Sequence, residues 1–341
     1  MTWRGTGSAD LAGGDRPPKK TPEVIEEIEK IMAPTRAGDP MTGLKWTRKT
    51  TDKVSQELKG VGITVSARTV ARLLTDLDYR LRVNHKKLSG GSASKRAERN
   101  EQFEYINAIR QSFLECGNPV ISVDTKKKEL IGLFKNPGAT WTKVATPVRD
   151  HDFRSDATAL VAPYGVHDLG WNQGHIFLGT SHDTPQFAAS AISQWWTLDG
   201  SPRYPHANRL LVLADNGGSN GPRNRAWKVE LQNTLANVHG LEVTVCHYPP
   251  GASKWNPIEH LLFSQVSRNW AGEPLVDIDT MLNFIRTTKT ATGLQVRATL
   301  MGGDYPKGIK IPDRVMATLN ITPHKVLPAW NYTIAPGAST M

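Results

Sequence analysis

Three carboxylates in this chain stand where acids do chemistry. Asp124 closes the apolar run PVISVD (119–124), Asp215 closes RLLVLAD (209–215), and Glu259 falls in the first turn of a helix expected near 257–270. Between Asp124 and Asp215 lie 90 residues, and between Asp215 and Glu259 lie 43. If the two apolar runs are parallel neighbours, about 4.8 Å apart, their terminal carboxylates converge at a sheet edge of the kind where open α/β sheets bind ligands. Three acids gathered in this way cannot all stay ionised without a cation, and hard oxygen donors suit Mg²⁺ or Mn²⁺. Two such ions roughly 3.5–4 Å apart can activate a nucleophile and stabilise the leaving oxygen of a phosphodiester.

Each acid also has a purely structural reading. Asp215, in ADNGGSNG, has the surroundings of an Asx-turn. Asn256-Pro257-Ile258-Glu259 matches a capping box, with Asn at N-cap, Pro at N1 and Glu at N3. Asp124 could simply terminate a strand, and Glu129 is a rival acid in the same expected hairpin. The trio is more persuasive than its members, because all three fall at one expected sheet edge.

The elements that must position them follow from periodicity. PVISVD and ELIGLF (129–134) read as short strands joined by a lysine-rich turn, with HIFLGT (175–180), RLLVLAD and LEVTVCHY (241–248) as three more. Helical spacing runs through TPQFAASAISQWW, through 224–237 and through 100–114, while 137–172 shows no clear element and reads as an inserted loop region. A hairpin followed by alternating strands and helices predicts a mixed five-stranded α/β sheet with flanking helices.

Ahead of it the chain changes character. Of the formal charge of +10, residues 41–100 carry nearly all, with 14 Lys and Arg against 5 Asp and Glu. That concentration is the footprint of a DNA-contacting module. Helices are expected near 22–32 and 51–59, then a Gly60-Val61-Gly62 turn, then a helix capped by Ser66 with Val70, Leu73, Leu74 and Leu77 on one face. This all-α pattern reads as helix-turn-helix, with Arg68, Thr69 and Arg72 on the polar face that would meet DNA in the major groove.

Other features weigh less. Lys126, Lys127 and Lys128 beside Asp124 could grip a phosphate, and Lys127 is kept as a DNA-contact candidate. Lys254 and Trp255, just before Glu259, could touch DNA or stack on a base. The pairs His151-Asp152, His167-Asp168 and His182-Asp183 lack the further clustered ligands that zinc needs. Gly217, Gly218 and Gly221 lack the Lys-Ser/Thr ending of a phosphate-binding P-loop. Only two cysteines, Cys116 and Cys246, are present, too few for a disulfide framework. No apolar run approaches the roughly 18 residues of a membrane span, and the start has no signal-peptide pattern. A cytoplasmic, nucleoid-associated protein is the expectation.

ISVDTKKKELIG, PYGVHDLG, HDTPQFA, ADNGGSNG, WKVELQ, VCHYPPGASKWNPIEHLLFS and GLQVRA together resemble the Rhodopirellula-type transposases of bacterial insertion sequences. The resemblance runs from about Asp39 to Pro336, and the PPGASKWNPIEH block also resembles the last-carboxylate motif of mariner-like transposases. It implies a DDE transposase with a ribonuclease H-like catalytic domain, its metal-binding triad on Asp124, Asp215 and Glu259. It further implies two Mg²⁺ or Mn²⁺ ions, hydrolytic nicking of double-stranded DNA at the element's ends, and strand transfer into target DNA. Joining two ends implies a homodimer or larger synaptic complex on DNA. Members of that family usually carry more sequence before the first helix, which leaves a truncated copy and a misplaced start as alternatives.

The expected organisation is a flexible lead-in (1–20), a helix-turn-helix DNA-binding domain (21–98), a connecting helix (99–118), a catalytic domain (119–290, with the insertion at about 137–172) and a C-terminal extension (291–341). Two other functions share these features: a metal-dependent nuclease that cuts without joining, and a DNA-binding repressor with a relict catalytic domain.

Overall fold

Thr50 and Ser66, each in extended backbone, start a helix, their hydroxyls accepting from the backbone N–H of Lys53 and Thr69. The computed structural model in which they are seen describes residues 22–32, 37–38, 45–46, 50–77, 79, 93–252 and 255–337. The chain divides into two compact units, Met1–Leu88 and Ser89–Met341.

The first unit holds α1 (Pro22–Met32), α2 (Thr51–Gly60) and α3 (Ala67–Asp76), with a two-residue ladder pairing Ala37–Gly38 and Lys45–Trp46. Gly62, at φ +85°, ends α2: its N–H reaches Lys59 O and that of Ile63 reaches Leu58 O. This left-handed cap favours glycine. Ile28, Val54, Leu58, Val65, Val70 and Leu73 close a small core, so the heptad-like spacing of α3 is spent on packing. The expected lead-in 1–20 lies outside the described residues.

In the second unit α4 (Ala93–Glu115) begins seven residues earlier than its periodicity predicts, and it buries Ile106 and Phe113. Nine strands follow: β1 (Val120–Thr125), β2 (Glu129–Ile131), β3 (Ala159–Asp168), β4 (Gln173–Gly179), β5 (Arg209–Ala214), β6 (Glu242–His247), β7 (Gln295–Met301), β8 (Ile321–Pro323) and β9 (Asn331–Ile334). They run in the order β8-β9-β6-β5-β1-β3-β4-β7, with β2 also on β3. The pairs β1–β5, β5–β6 and β4–β7 are parallel; the others are antiparallel. The sheet is therefore mixed, as expected, but larger than the five strands predicted.

Three differences have physical causes. Residues 137–172 are not all insertion: Ala159–Asp168 is a central strand, buried over most of its length. Pro163 and Gly165 mask it in sequence, because both are depleted in strands. Second, β1 and β2 do not form a hairpin. Both pair with β3, β1 from Tyr164 to Asp168 and β2 from Ala159 to Val161, so the lysine segment carries the chain onward along one edge. Pro163 sits at that break, its carbonyl accepting from Lys126 N, so its missing N–H costs no strand-ladder bond. Third, the described part of the expected C-terminal extension, residues 291–337, is integral: β7 extends one edge of the sheet and β8 and β9 the other.

Helices cover both faces. α5 (Pro185–Trp195) and α6 (Arg225–Leu231) pack on one, where Trp195, Trp196 and Trp227 are buried. On the other lie α4, the helix Glu259–Asn269 (α7, whose first turn is π-helical) and α8 (Ile278–Arg286), which follows the helix predicted to be the last. Among the described residues no helix is long and apolar enough to cross a membrane.

Candidate active site

Parallel pairing sets the first two acids. Val120, Ile121, Ser122 and Val123 pair with Leu211, Val212, Leu213 and Ala214, so the next residues, Asp124 and Asp215, leave neighbouring strands at one level. Side chains alternate across a strand. Ile121, Val123, Val212 and Ala214 fill the α5–α6 core, which sends Ser122, Asp124, Leu213 and Asp215 to the α7 side.

Glu259 comes to meet them because α7 can lie unusually close to the sheet. Gly165 is the register partner of Asp124, and a Cβ there would sit 2.5 Å from Phe263 and 2.8 Å from Ile258. At Gly174 a Cβ would sit 2.4 Å from Leu262. Neither glycine has positive φ, so what they supply is clearance.

The start of α7 is also tied directly to β1. Ser122 donates its hydroxyl to Asn256 Oδ1 and accepts from Ile258 N at 3.2 Å, while Asn256 Nδ2 donates to Val123 O at 3.4 Å. Asn256 is fully buried. The capping-box reading thus gives way: the Asn256 side chain serves the strand instead of the helix end, and Glu259 faces a cavity. That cavity, about 300 Å³, is lined by Asp124, Thr125, Asp183, Asp215, Gly217, Gly218, Ser219, Asn220 and Glu259. The Asx-turn reading of Asp215 holds alongside, since Asp215 Oδ1 accepts from Gly217 N at 3.1 Å.

The electrostatics follow from crowding like charges in partial burial. Burial, then the neighbouring Asp215, Glu259 and Asp183 charges, push Asp124 up to about 8 against the opposing Thr125 N–H bond. Asp215 is raised by burial and by Asp183, and Glu259 chiefly by burial. His260, Lys126 and a hydrogen bond with Asp124 act the other way on Glu259. A bond between two carboxyl groups needs a proton, so the acids titrate as a set.

The donor set fits a hard divalent cation, being all oxygen and held against its own repulsion by protonation. Among the described residues, no three His, Cys, Asp or Glu side chains already close around a single point at ligating distance. Asp124, Asp215 and Glu259 are acids of that cavity that could hold such an ion.

The remaining candidates scatter. Arg68 and Arg72 are exposed on α3, whereas the Thr69 hydroxyl lies 3.1 Å from Ser66 Oγ, within the helix cap. Lys127 is exposed on the β1–β2 link. Its neighbour Lys126 is ion-paired with Glu129 and lies 4.7 Å from the Trp270 ring centre, and its charge is felt at Glu259. Glu129, so paired, does not line the cavity. Trp255 sets its ring edge-on to Phe103 of α4, centroids 6.1 Å apart, and Lys254 lies outside the described residues. His151 lies 3.7 Å from Asp150 in an exposed loop, while His167 and Asp168 are buried in separate hydrogen bonds. Asp183 is the acid of the cavity that sequence reasoning passed over, together with the polar Thr125, Ser219 and Asn220. It was visible only as half of a His-Asp pair.

A family model described as the Rhodopirellula transposase DDE domain matches residues 27–336. Among solved structures, a Mos1 transposase paired-end complex with left transposon end is similar over 81% of this chain and 73% of that chain, at 14% identity and TM-score 0.44. A Mos1 mariner paired-end complex with Mn is similar over 81% and 73%, at 15% identity and TM-score 0.42. No curated protein matches the chain.

Proposed function

The chain belongs to the Rhodopirellula transposase DDE domain family, and on that premise we propose that it cuts double-stranded DNA at the ends of an insertion sequence and joins the freed ends to target DNA. The observation that carries this reading is that Asp124, Asp215 and Glu259, from two strands and a helix far apart in sequence, line one open cavity at a sheet edge. We read the second unit as ribonuclease H-like on the strength of its mixed sheet and that placement.

Mg²⁺ or Mn²⁺, bound as a pair, would supply charge compensation and a lowered pKa for attacking water. The protein's part is positional. Asp124 and Asp215 are fixed by strand register, and Glu259 by the Ser122–Asn256 tie. Gly217 and Gly218 keep the cavity mouth free of side chains, so a phosphate backbone can approach. Lys126 places a positive charge beside Glu259. With water as the first nucleophile and a DNA 3′-hydroxyl as the second, the reaction needs no Ser or Tyr nucleophile.

We assign end recognition to the first unit, through the exposed Arg68 and Arg72 on α3, in the manner of a helix-turn-helix. Thr69 contributes through the cap. Two ends held together call for a homodimer or larger synaptic complex on DNA, in the cytoplasm.

The experiment is nicking and joining on DNA that carries the sequence flanking this gene, with and without Mg²⁺. Metal-dependent nicking, lost in D124N, D215N and E259Q with DNA binding retained, supports the reading. Joining of a pre-cleaved 3′ end separates a transposase from a nuclease. Absence of nicking with retained end binding leaves a repressor, and near-wild-type nicking by any one variant removes that residue from the triad.

A further inference from the structure

We propose that Asp183 is a fourth carboxylate of this site, binding a divalent cation together with Asp124 and Asp215. The inference rests on the transposase reading above.

Asp183 stands between β4 and α5, a position where an acid commonly caps a helix. It does not cap α5. Thr184 does, accepting from Phe187 N at 3.4 Å. Asp183 lines the cavity instead.

Its anchor is Thr125, which follows Asp124. The Thr125 hydroxyl donates to Asp183 Oδ1 at 3.1 Å, and the Thr125 N–H donates to Asp124 Oδ1 at 2.7 Å. One residue thereby orients two acids, each through a single oxygen. Strand alternation places the Thr125 side chain on the face opposite Asp124, so Asp183 reaches the cavity from the α5 side while Glu259 reaches it from the α7 side. Acids approach around the end of the sheet from both faces.

A structural tie would not need a charge here. The partner seen for Asp183 is a neutral hydroxyl, which Asn would satisfy equally well. What a carboxylate adds is negative potential felt by both Asp124 and Asp215. In the metal-free protein that is a cost, and with a cation bound it becomes an attraction.

The test is Mn²⁺ titration of the full-length protein by calorimetry at pH 8 without DNA, alongside melting curves with and without Mn²⁺. D183N should weaken Mn²⁺ binding at least tenfold, about 1.4 kcal/mol, while its metal-free melting temperature stays level or rises. T125V, which keeps the backbone N–H and loses the hydroxyl, should weaken Mn²⁺ binding several-fold, and T125S should restore it. These two variants leave the acid in place and carry the test should D183N fail to fold. Wild-type Mn²⁺ affinity in D183N, with affinity lost in D124N and D215N, would overturn the inference and leave the triad standing. A D183N protein that melts lower but binds Mn²⁺ normally is a structural tie, and also overturns it. If D124N and D215N bind Mn²⁺ as the wild type does, the triad reading fails and this inference falls with it.

Discussion

Asp124 and Asp215 stand side by side, one residue beyond the register pair Val123–Ala214 on parallel β1 and β5, and both face the helix that carries Glu259. Their closeness follows from strand pairing, so it does not depend on any contact between the two acids. Repulsion between them is an inevitable consequence of that register.

The first prediction concerns pH. The raised Asp124 carboxyl, at about 8 against about 3.9 in an unfolded chain, means that the native state binds more protons across that window. Stability of the metal-free protein should therefore fall as pH rises from 4 to 8. His247, buried and lowered to about 4, works in the opposite sense but only below pH 6.5. Between pH 6.5 and 8.5 His247 no longer contributes, and the fall comes from the carboxyl set that Asp124 leads, with an Asp124 share of about 2 kcal/mol. Thermal melts should show it, Mg²⁺ should restore more stability at pH 8.5 than at 6.5, and D124N should flatten both trends.

Gly165 tests the close approach of α7. G165V places methyl groups where Phe263 and Ile258 already lie, with a cost of about 1–3 kcal/mol. Nicking should fall more steeply than melting temperature, because α7 moves away from Asp124. A variant that loses stability but nicks at the wild-type rate would show that the helix spacing is not what sets the site.

Asn256 tests the tie between β1 and α7. N256A removes both the acceptor for Ser122 and the donor to Val123 O, leaving buried polar groups unsatisfied at about 1–3 kcal/mol. The expected result is a larger loss of nicking than of DNA affinity. S122A should follow the same pattern, since Asn256 Oδ1 loses its donor and Ile258 N its acceptor.

Arg68 and Arg72 test end recognition. Substituting either by Ala should weaken binding to the element's ends, and a base-edge contact would cost about 1–3 kcal/mol and relax specificity at one position. A contact to phosphate would instead weaken all sequences alike and reduce the salt dependence. Unchanged binding in the double variant would move recognition elsewhere in the chain.

Much of this arrangement is legible in the residues. The runs 119–124 and 209–215 show the strands that end at the first two acids, because short apolar stretches bounded by turn signals are local patterns. Ser66 shows the start of α3 for the same reason: a cap needs only its own backbone three residues on. Ala159–Asp168 was illegible, since Pro163 and Gly165 contradict strand propensity. What overrides them is a gap between β1 and β2 that needs no donor, and a helix that needs room.

The sequence by itself marked three acids as candidates for the chemistry and the segments that end in them, because composition and periodicity act within a dozen residues. Only the folded chain decided that β1 lies beside β5, that Asn256 serves β1 in preference to its own helix, and that Asp183 and Lys126 are the neighbours of the site. Those choices depend on pairing and clearance between residues 58 to 134 positions apart, and no local pattern encodes such distances.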